Sequence, residues 1–231
     1  MFNKQERLAA LFGMGLCFIA GYLDIYAFSV RGVFAAMQTG NLITLFTSLI
    51  DKNYELALIR GSVILVFFIG LFFAEWIKRF FQKRNIRIEI GFLTVGILLL
   101  IPASCIPIGT NSFWIDFAAN QFLAIFAAIQ LAGFTSLNGE GFVSTMMTGV
   151  MKNISFHLVN YISQKERREL SYFFHYLGML LSFILGIVVS YLLLFFLPDH
   201  HIILQVMPLF MIPVLILEIF IARICFPKKI Q

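Results

Sequence analysis

The sequence predicts an all-α integral membrane protein. Six transmembrane helices plus two re-entrant or broken half-helix segments are expected, arranged in two inverted repeats within a single transmembrane domain. Three observations predict this. The first is composition: 60% of the 231 residues are hydrophobic, 28 are Phe and only 13% are charged, with a mean hydropathy of +0.91. No soluble domain of this size covers so much apolar surface with so few charges. The second is a series of apolar segments long enough to span about 30 Å of hydrocarbon as helices. The third is a short motif that occurs twice. Gly32-Val33-Phe34-Ala35-Ala36-Met37-Gln38-Thr39-Gly40-Asn41 returns, 109 residues later, as Gly141-Phe142-Val143-Ser144-Thr145-Met146-Met147-Thr148-Gly149-Val150. Gly, Met, Thr and Gly recur at matched places in the hydropathy pattern, which points to an internal duplication.

Taken in order, the apolar segments run approximately Leu8–Val30, Gly32–Ile50, Ala57–Ile77, Ile90–Ile108, Phe117–Thr135, Phe142–Ile162, Tyr172–Leu197 and Ile202–Phe226. The first exceeds a signal-peptide core of roughly 7–15 residues and carries Asp24, so it reads as a retained span. Four segments fall in each copy, repeat 1 covering about 8–108 and repeat 2 about 117–226. Alternation of period two is absent, which argues against an outer-membrane barrel.

Charge placement argues against eight crossings. With a cytoplasmic N-terminus and eight spans, Lys78, Arg79, Lys83, Arg84 and Arg87 would lie outside, the wrong face for the largest basic loop. If the second and sixth segments enter and return on one side, the cytoplasm receives Lys4, Arg7, that loop, Lys165, Arg167, Arg168, Arg223, Lys228 and Lys229. That is 13 of the 17 basic residues. Arg31, Lys52 and Arg60 stay with the outer loops, and Lys152 goes with the inner re-entrant segment. Both termini are then cytoplasmic, and the copies have opposite orientation, as in many transporters and channels with a midplane site.

Segments two and six have the right detail for re-entry. A Thr-Gly step is a poor helix interior and a workable place to break and restart one. After Gly40 about eleven residues remain before Asp51, roughly 16 Å of helix and half the hydrocarbon thickness. Asn41, Thr44 and Ser48 form one polar stripe; Asn153, His157 and Asn160 form another, with Lys152 beside it. Polar stripes at membrane depth need a protein or water partner.

The candidate substrate-binding residues are Asp24, Thr39, Gly40, Asn41, Gln130, Thr148, Gly149, Asn153 and His157. Asp24 reads as the only acidic residue well inside a span. It is either a proton, cation or solute contact, or a structural hydrogen-bond acceptor for backbone freed at a helix break. Thr39-Gly40-Asn41 and Thr148-Gly149 read as opposed helix N-termini facing a cavity suited to a carbonyl, carboxylate or anion; the alternative is a tight Gly-mediated crossing. His157 is either a ligand or a satisfied packing residue, and Lys152 is expected to snorkel to headgroups. His175 is expected at the interface, and His200-His201 lacks partners at metal-ligand spacing. Arg31 and Glu140, at equivalent positions in the copies, are candidates to cap their own loops. Glu75, Asp116 and Glu218 read as structural residues near span ends, with Glu75 paired to Arg79.

Several classes are disfavoured. The net charge of +5 is spread in short clusters between apolar runs, which fits topology and membrane lipids and not nucleic acid. Cys17, Cys105 and Cys225 are too scattered for a disulfide framework or metal cluster. No hydrolase, kinase, metalloprotease or redox motif is present, so no catalytic residues, metal or cofactors are assigned and an enzyme is not expected.

Gly21-Tyr22-Leu23-Asp24, then Gly32 and Met37-Gln38-Thr39-Gly40-Asn41, resemble the YoaK-like family of bacterial membrane proteins. Gln130 followed by Ser144-Thr145-Met146-Met147-Thr148-Gly149 is similar to that family's second motif, although Leu131 and Ala132 stand where the family often has Asn. The resemblance covers about residues 10 to 225 and implies a bacterial inner-membrane location; the family is uncharacterised and supplies no substrate. The expectation is a transporter or channel-like protein for a small polar or anionic solute. The alternative is a non-transporting scaffold, lipid-binding or regulatory partner. Chains this small often work as homodimers.

Overall fold

The structure, a computed structural model, describes residues 3–108, 113–137, 140–142, 144–197 and 201–225, without the side chains of Asp116, Ser136, Leu137 and Glu140. The expectations for Asp116, the Glu140 side chain, His200, Lys228 and Lys229 therefore lie outside the described residues.

Helix α1 (Lys4–Arg31) opens on a capping box: Asn3 Oδ1 accepts from Glu6 N at 2.9 Å and Glu6 Oε2 accepts from Asn3 N at 2.7 Å. It stops at Gly32, whose φ of 72° only glycine adopts without strain. A loop leads to α2 (Gln38–Ile50), and a tight turn leads on to α3 (Tyr54–Lys83), capped by the Asn53 side chain. Then follow α4 (Ile88–Cys105) and α5 (Phe113–Gly133). A two-residue strand pair, Ser136–Leu137 against Glu140–Gly141, precedes α6 (Met147–Gln164) and α7 (Arg167–Phe196). The last span is α8 (His201–Val206), a 3-10 turn at Met207–Met211 and α9 (Ile212–Cys225).

Six helical stretches are long and apolar enough to cross a membrane: α1, α3, α4, α5, α7 and the run His201–Cys225. The expected count of six thus agrees. The 13 residues of α2 reach only about 20 Å, too short to cross. Segments two and six were expected to run from Gly32 and Phe142, each broken and restarted at its Thr-Gly step. Their helices start later, at Gln38 and Met147, because the glycine-led loops come first. The eighth segment is interrupted at Pro208 and Pro213, which have no amide to donate.

Side-chain contacts fix the helix directions. Helices α1 and α7 run parallel, from Arg168 at 4.0 Å from Glu6, through Met14 on Gly178, to a crossing at Gly21 and Gly186, where a Cβ at Gly21 would lie 2.2 Å from Phe183 O and one at Gly186 2.1 Å from Phe18 O. Parallel α3 and α5 meet at Gln121–Ser62 (3.0 Å) and at Gly70 against Ala128. Helix α5 runs antiparallel to α1, with Phe12 on Phe134 (ring centroids 5.2 Å) and Gln130 Nε2 on Leu16 O (2.8 Å). It also runs antiparallel to α4, where Gly96 meets Phe126 and Gly133 meets Phe92. The final span lies antiparallel to α4 and to α1, through Arg87–Arg223 O, Gln205–Ser104 O and Tyr22–Met207 O. Helices α2 and α6 lie on α3 and α7. Helix α1 is the most enclosed of the spans, and Phe12, Leu16, Tyr22 and Tyr26 form the centre of the core.

Two arginines expected in outer loops sit on helices and are buried. Arg31 reaches beyond its own loop: Nη2 and Nη1 donate to Ile106 O (2.9 Å) and Pro107 O (3.3 Å) past the end of α4. Glu75 pairs with Lys78 at 3.6 Å and not with Arg79.

Candidate functional site

Both copies of the motif start a helix from the Met two residues before Thr-Gly. Met37 is the N-cap residue of α2 and Met146 that of α6, and neither side chain caps its helix. The two starts meet at one cavity of about 310 Å³. Its wall carries Gln38 and Thr39 from the first copy and Thr145 and Thr148 from the second, with Met37, Met146 and Met147 beside them. Phe67, Leu131 and Phe183 close it from α3, α5 and α7. Four side chains that hydrogen-bond therefore face a pocket otherwise lined by thioether, aromatic and aliphatic groups. Such a wall suits a small ligand bound through a few polar contacts.

Around the cavity the first loop is held from three directions. Asp24 sits among the amides of Ala35, Ala36 and Met37, with Oδ1 accepting from Ala36 N at 2.7 Å. Asn41, fully buried, accepts from Phe34 N and donates to Phe34 O, both at 2.8 Å. Gly40 lies on the Phe34 ring, where a Cβ would come within 2.9 Å. Asp24 Oδ1 thus accepts from backbone freed at a helix break, the contact that one of its two readings expects.

The second loop is held differently. Gln130 is buried and donates to Leu16 O and to Ser144 Oγ (3.2 Å), tying α1 to the loop ahead of α6. Among the expected site residues, Thr39 and Thr148 stand on the cavity wall. Asp24, Gly40, Asn41, Gln130, Gly149, Asn153 and His157 are not among the residues of that wall; most of them shape or brace its two loops.

Both polar stripes find protein partners. Arg60, buried on α3, donates from Nη1 to Thr44 O (2.6 Å) and to Ser48 Oγ, and from Nε and Nη2 to Gly32 O (3.2 and 3.1 Å). His157 Nδ1 lies 2.9 Å from Glu169 Oε2 of α7, which also accepts from Asn160 at 3.2 Å. The His157 ring stacks on Tyr172 and Tyr176. His157 is thus a satisfied packing residue, while Asn153 is half-buried. Lys152 and His201 are exposed, and His175 is half-buried with Nδ1 against Ser171 O. Among the described residues, no group of three or more His, Cys, Asp or Glu is placed to hold a metal ion.

Residues 12–215 match the family described as "Protein of unknown function (DUF1275)". The chain belongs to the DUF1275 family. No curated protein and no solved structure matches it. In this DUF1275 protein two buried charges escaped the sequence reading. Arg60 lies near the start of a long helix and reads there as a loop cation; only its spacing from Ser48 and Thr44 hinted at a partner. Glu218, on α9, is 2% exposed and its carboxyl lies against Gly15 of α1. Asp24 is therefore not the only acid inside the bundle.

Proposed function

We propose that this protein carries a small polar or anionic solute across the bacterial inner membrane, as a transporter or channel-like protein, through a midplane site between the starts of α2 and α6. The observation that carries the reading is the cavity shared by both Thr-Gly motifs. Phe67 and Phe183, on its wall, lie near the middle of the 30-residue helices α3 and α7. Thr39 and Thr148 offer hydroxyls, and the first-turn amides and positive helix ends favour a carbonyl or anion. Asp24 and Gln130 act as positioning residues for the two loops.

The helix directions support six spans with α2 and α6 re-entering. Because α1 and α7 point one way and α3 and α5 the other, the chain alternates α1, α3, α4, α5, α7, α9 only if α2 and α6 return to the face they left. Exchanging the copies also relates the most extensive packed pairs: α1/α7 to α5/α3, α1/α9 to α5/α4 and α2/α3 to α6/α7, with α4/α9 mapped onto itself. That relation is expected of inverted repeats. On that reading the basic residues at the start of α1, the end of α3, the α6–α7 turn and the end of α9 share one face, which supports a cytoplasmic position for both termini.

The test is aqueous access. In a chain lacking Cys17, Cys105 and Cys225, cysteine at Thr39 or Thr148 reacts with a small impermeant thiol reagent, and cysteine at the outward-facing Ile43 does not. Cysteine at Asn53 labels from outside intact cells and cysteine at Gln164 does not. A non-transporting scaffold predicts no reaction at Thr39 and Thr148, and that result would refute the transport reading.

A further inference from the structure

The outer face of α3 carries two adjoining hollows that share no lining residue with the motif cavity. One, of about 300 Å³, is bounded by Phe72, Phe73 and Trp76; the next, of about 290 Å³, by Trp76, Arg79, Phe80 and Lys83. Trp76 is shared, so the two form one groove that runs from aromatic to basic toward the end of the helix. From Phe72 to Lys83 the helix rises about 16 Å, comparable to the distance from upper acyl chain to phosphate in one leaflet. Phe72, Phe73 and Trp76 are 57% to 66% exposed, and among the described residues no other helix lines either hollow. Neighbouring charges leave the basic end free. Glu75, one turn back, is engaged by Lys78, and neither Arg79 nor Lys83 has a carboxylate partner among the described residues.

We infer that this groove is a binding site for an anionic phospholipid, its acyl chain against Phe72, Phe73 and Trp76 and its phosphate between Arg79 and Lys83. Charge complementarity selects the occupant. A zwitterionic headgroup brings no net charge to two cations, whereas an anionic one gains from both. Arg79 offers a planar fork to phosphate oxygens and Lys83 a mobile point charge. Trp76 takes the position at the headgroup boundary that indole rings favour. The site is independent of the motif cavity and does not depend on transport.

The test uses the protein's own fluorescence. The chain has two Trp residues, so Trp114→Phe leaves Trp76 as sole reporter. The purified chain is placed in phosphatidylcholine vesicles in which either phosphatidylglycerol or phosphatidylcholine carries brominated, quenching acyl chains. Brominated phosphatidylglycerol is expected to quench Trp76 as though enriched about fivefold beside it, on the scale of the attraction of one or two basic residues for anionic lipid. Arg79→Gln with Lys83→Gln removes the enrichment, while Lys4→Gln, a basic residue away from the groove, leaves it. Equal quenching by the two lipids overturns the inference. So does enrichment that survives the double substitution, or a Trp76 shielded from both lipids, which would mean that a second protein copy covers the face.

Discussion

Removing the Arg60 guanidinium tests whether α2 is held by the helix that follows it. Arg60→Met keeps the apolar stem and deletes four donated hydrogen bonds, two to Gly32 O and one each to Thr44 O and Ser48 Oγ. Polar bonds between membrane helices are worth about 0.6 kcal/mol each on average, so the four give roughly 2.4 kcal/mol. The Gly32 carbonyl, which loses both its guanidinium bonds, adds part of the roughly 1 kcal/mol or more of an unsatisfied buried acceptor. The expected loss is about 3 kcal/mol, which for a chain of this length lowers Tm by about 6–12 °C. Cys17 supplies the assay: it is fully buried, so with Cys105 and Cys225 replaced by Ser a thiol-reactive fluorophore reports unfolding on heating. Arg60→Lys should recover less than half the loss, because one ammonium lacks the fork that reaches α2 and Gly32 together. A Tm within about 2 °C of the parent for Arg60→Met, or a fully stable Arg60→Lys, would refute the brace.

Three further outcomes are expected. Gly186→Ala should prevent stable folding, since its Cβ would meet the backbone at Phe18 O and Tyr22 N, while Gly149→Ala, with open space around it, should be neutral or stabilise α6 by up to about 1 kcal/mol; expression and Tm of the pair decide it. Asp24→Asn, which keeps an acceptor for Ala36 N, should cost about 1 kcal/mol, and Asp24→Ala should cost at least twice that with faster labelling of a cysteine at Thr39; equal stability of the two variants would remove the loop-anchoring role. Arg60→Glu should be worse than Arg60→Met, because a carboxylate would face the Gly32 and Thr44 carbonyls; adding Ser48→His should recover about 1 kcal/mol in a double-mutant cycle, and a coupling of zero would show that the two braces are unrelated.

The spans were legible because hydropathy reports them directly: Leu, Ile and Phe runs in α3, α4 and α7 leave no other medium for those faces. Boundaries were less so: the apolar runs that begin at Leu8, Ala57 and Phe117 belong to helices that begin three or four residues earlier, at Lys4, Tyr54 and Phe113, because first turns that carry charged residues extend a helix beyond its apolar stretch. The motif's part in the site was legible as a repeated Thr-Gly step, since helix starts have a residue signature. Which side chains face the cavity was not. Asn41 carries the same amide whether it binds a solute or closes its own loop on Phe34, and only the packed backbone decides between them. Arg60 and Glu218 were missed for one reason: a charge one or two turns from a helix end looks like a solvated residue until a neighbouring helix covers it.

The repeat reaches further than its ten-residue signature. Ser48 and His157 are 109 positions apart, as are Arg60 and Glu169, and each pair is joined across 12 residues, from the half-helix to an early turn of the long helix after it. The residues share no chemistry, yet the contact recurs. In the first copy the long helix donates and the half-helix accepts. In the second the long helix supplies an acceptor, and His157 and Asn160 supply the partners. On the inverted-repeat reading proposed above, the two contacts lie near opposite faces of the membrane. The guanidinium is on the outer side and the carboxylate on the inner, beside Arg167 and Arg168. That is the reverse of the charge bias that sets topology, so orientation does not explain these two charges. The need to hold a short helix at depth does, because a half-helix whose polar stripe has no partner is unstable in hydrocarbon. What a duplicated half-helix must retain is therefore a break at its start and one complementary pair near its far end. Residue identity is retained at the break, as Gly32 and Gly141, Met37 and Met146, Thr39 and Thr148, Gly40 and Gly149; at the brace either polarity serves. An identity comparison sees the first likeness and not the second: the ten-residue motif recurs weakly in sequence, while a matched contact recurs at Ser48–Arg60 and His157–Glu169.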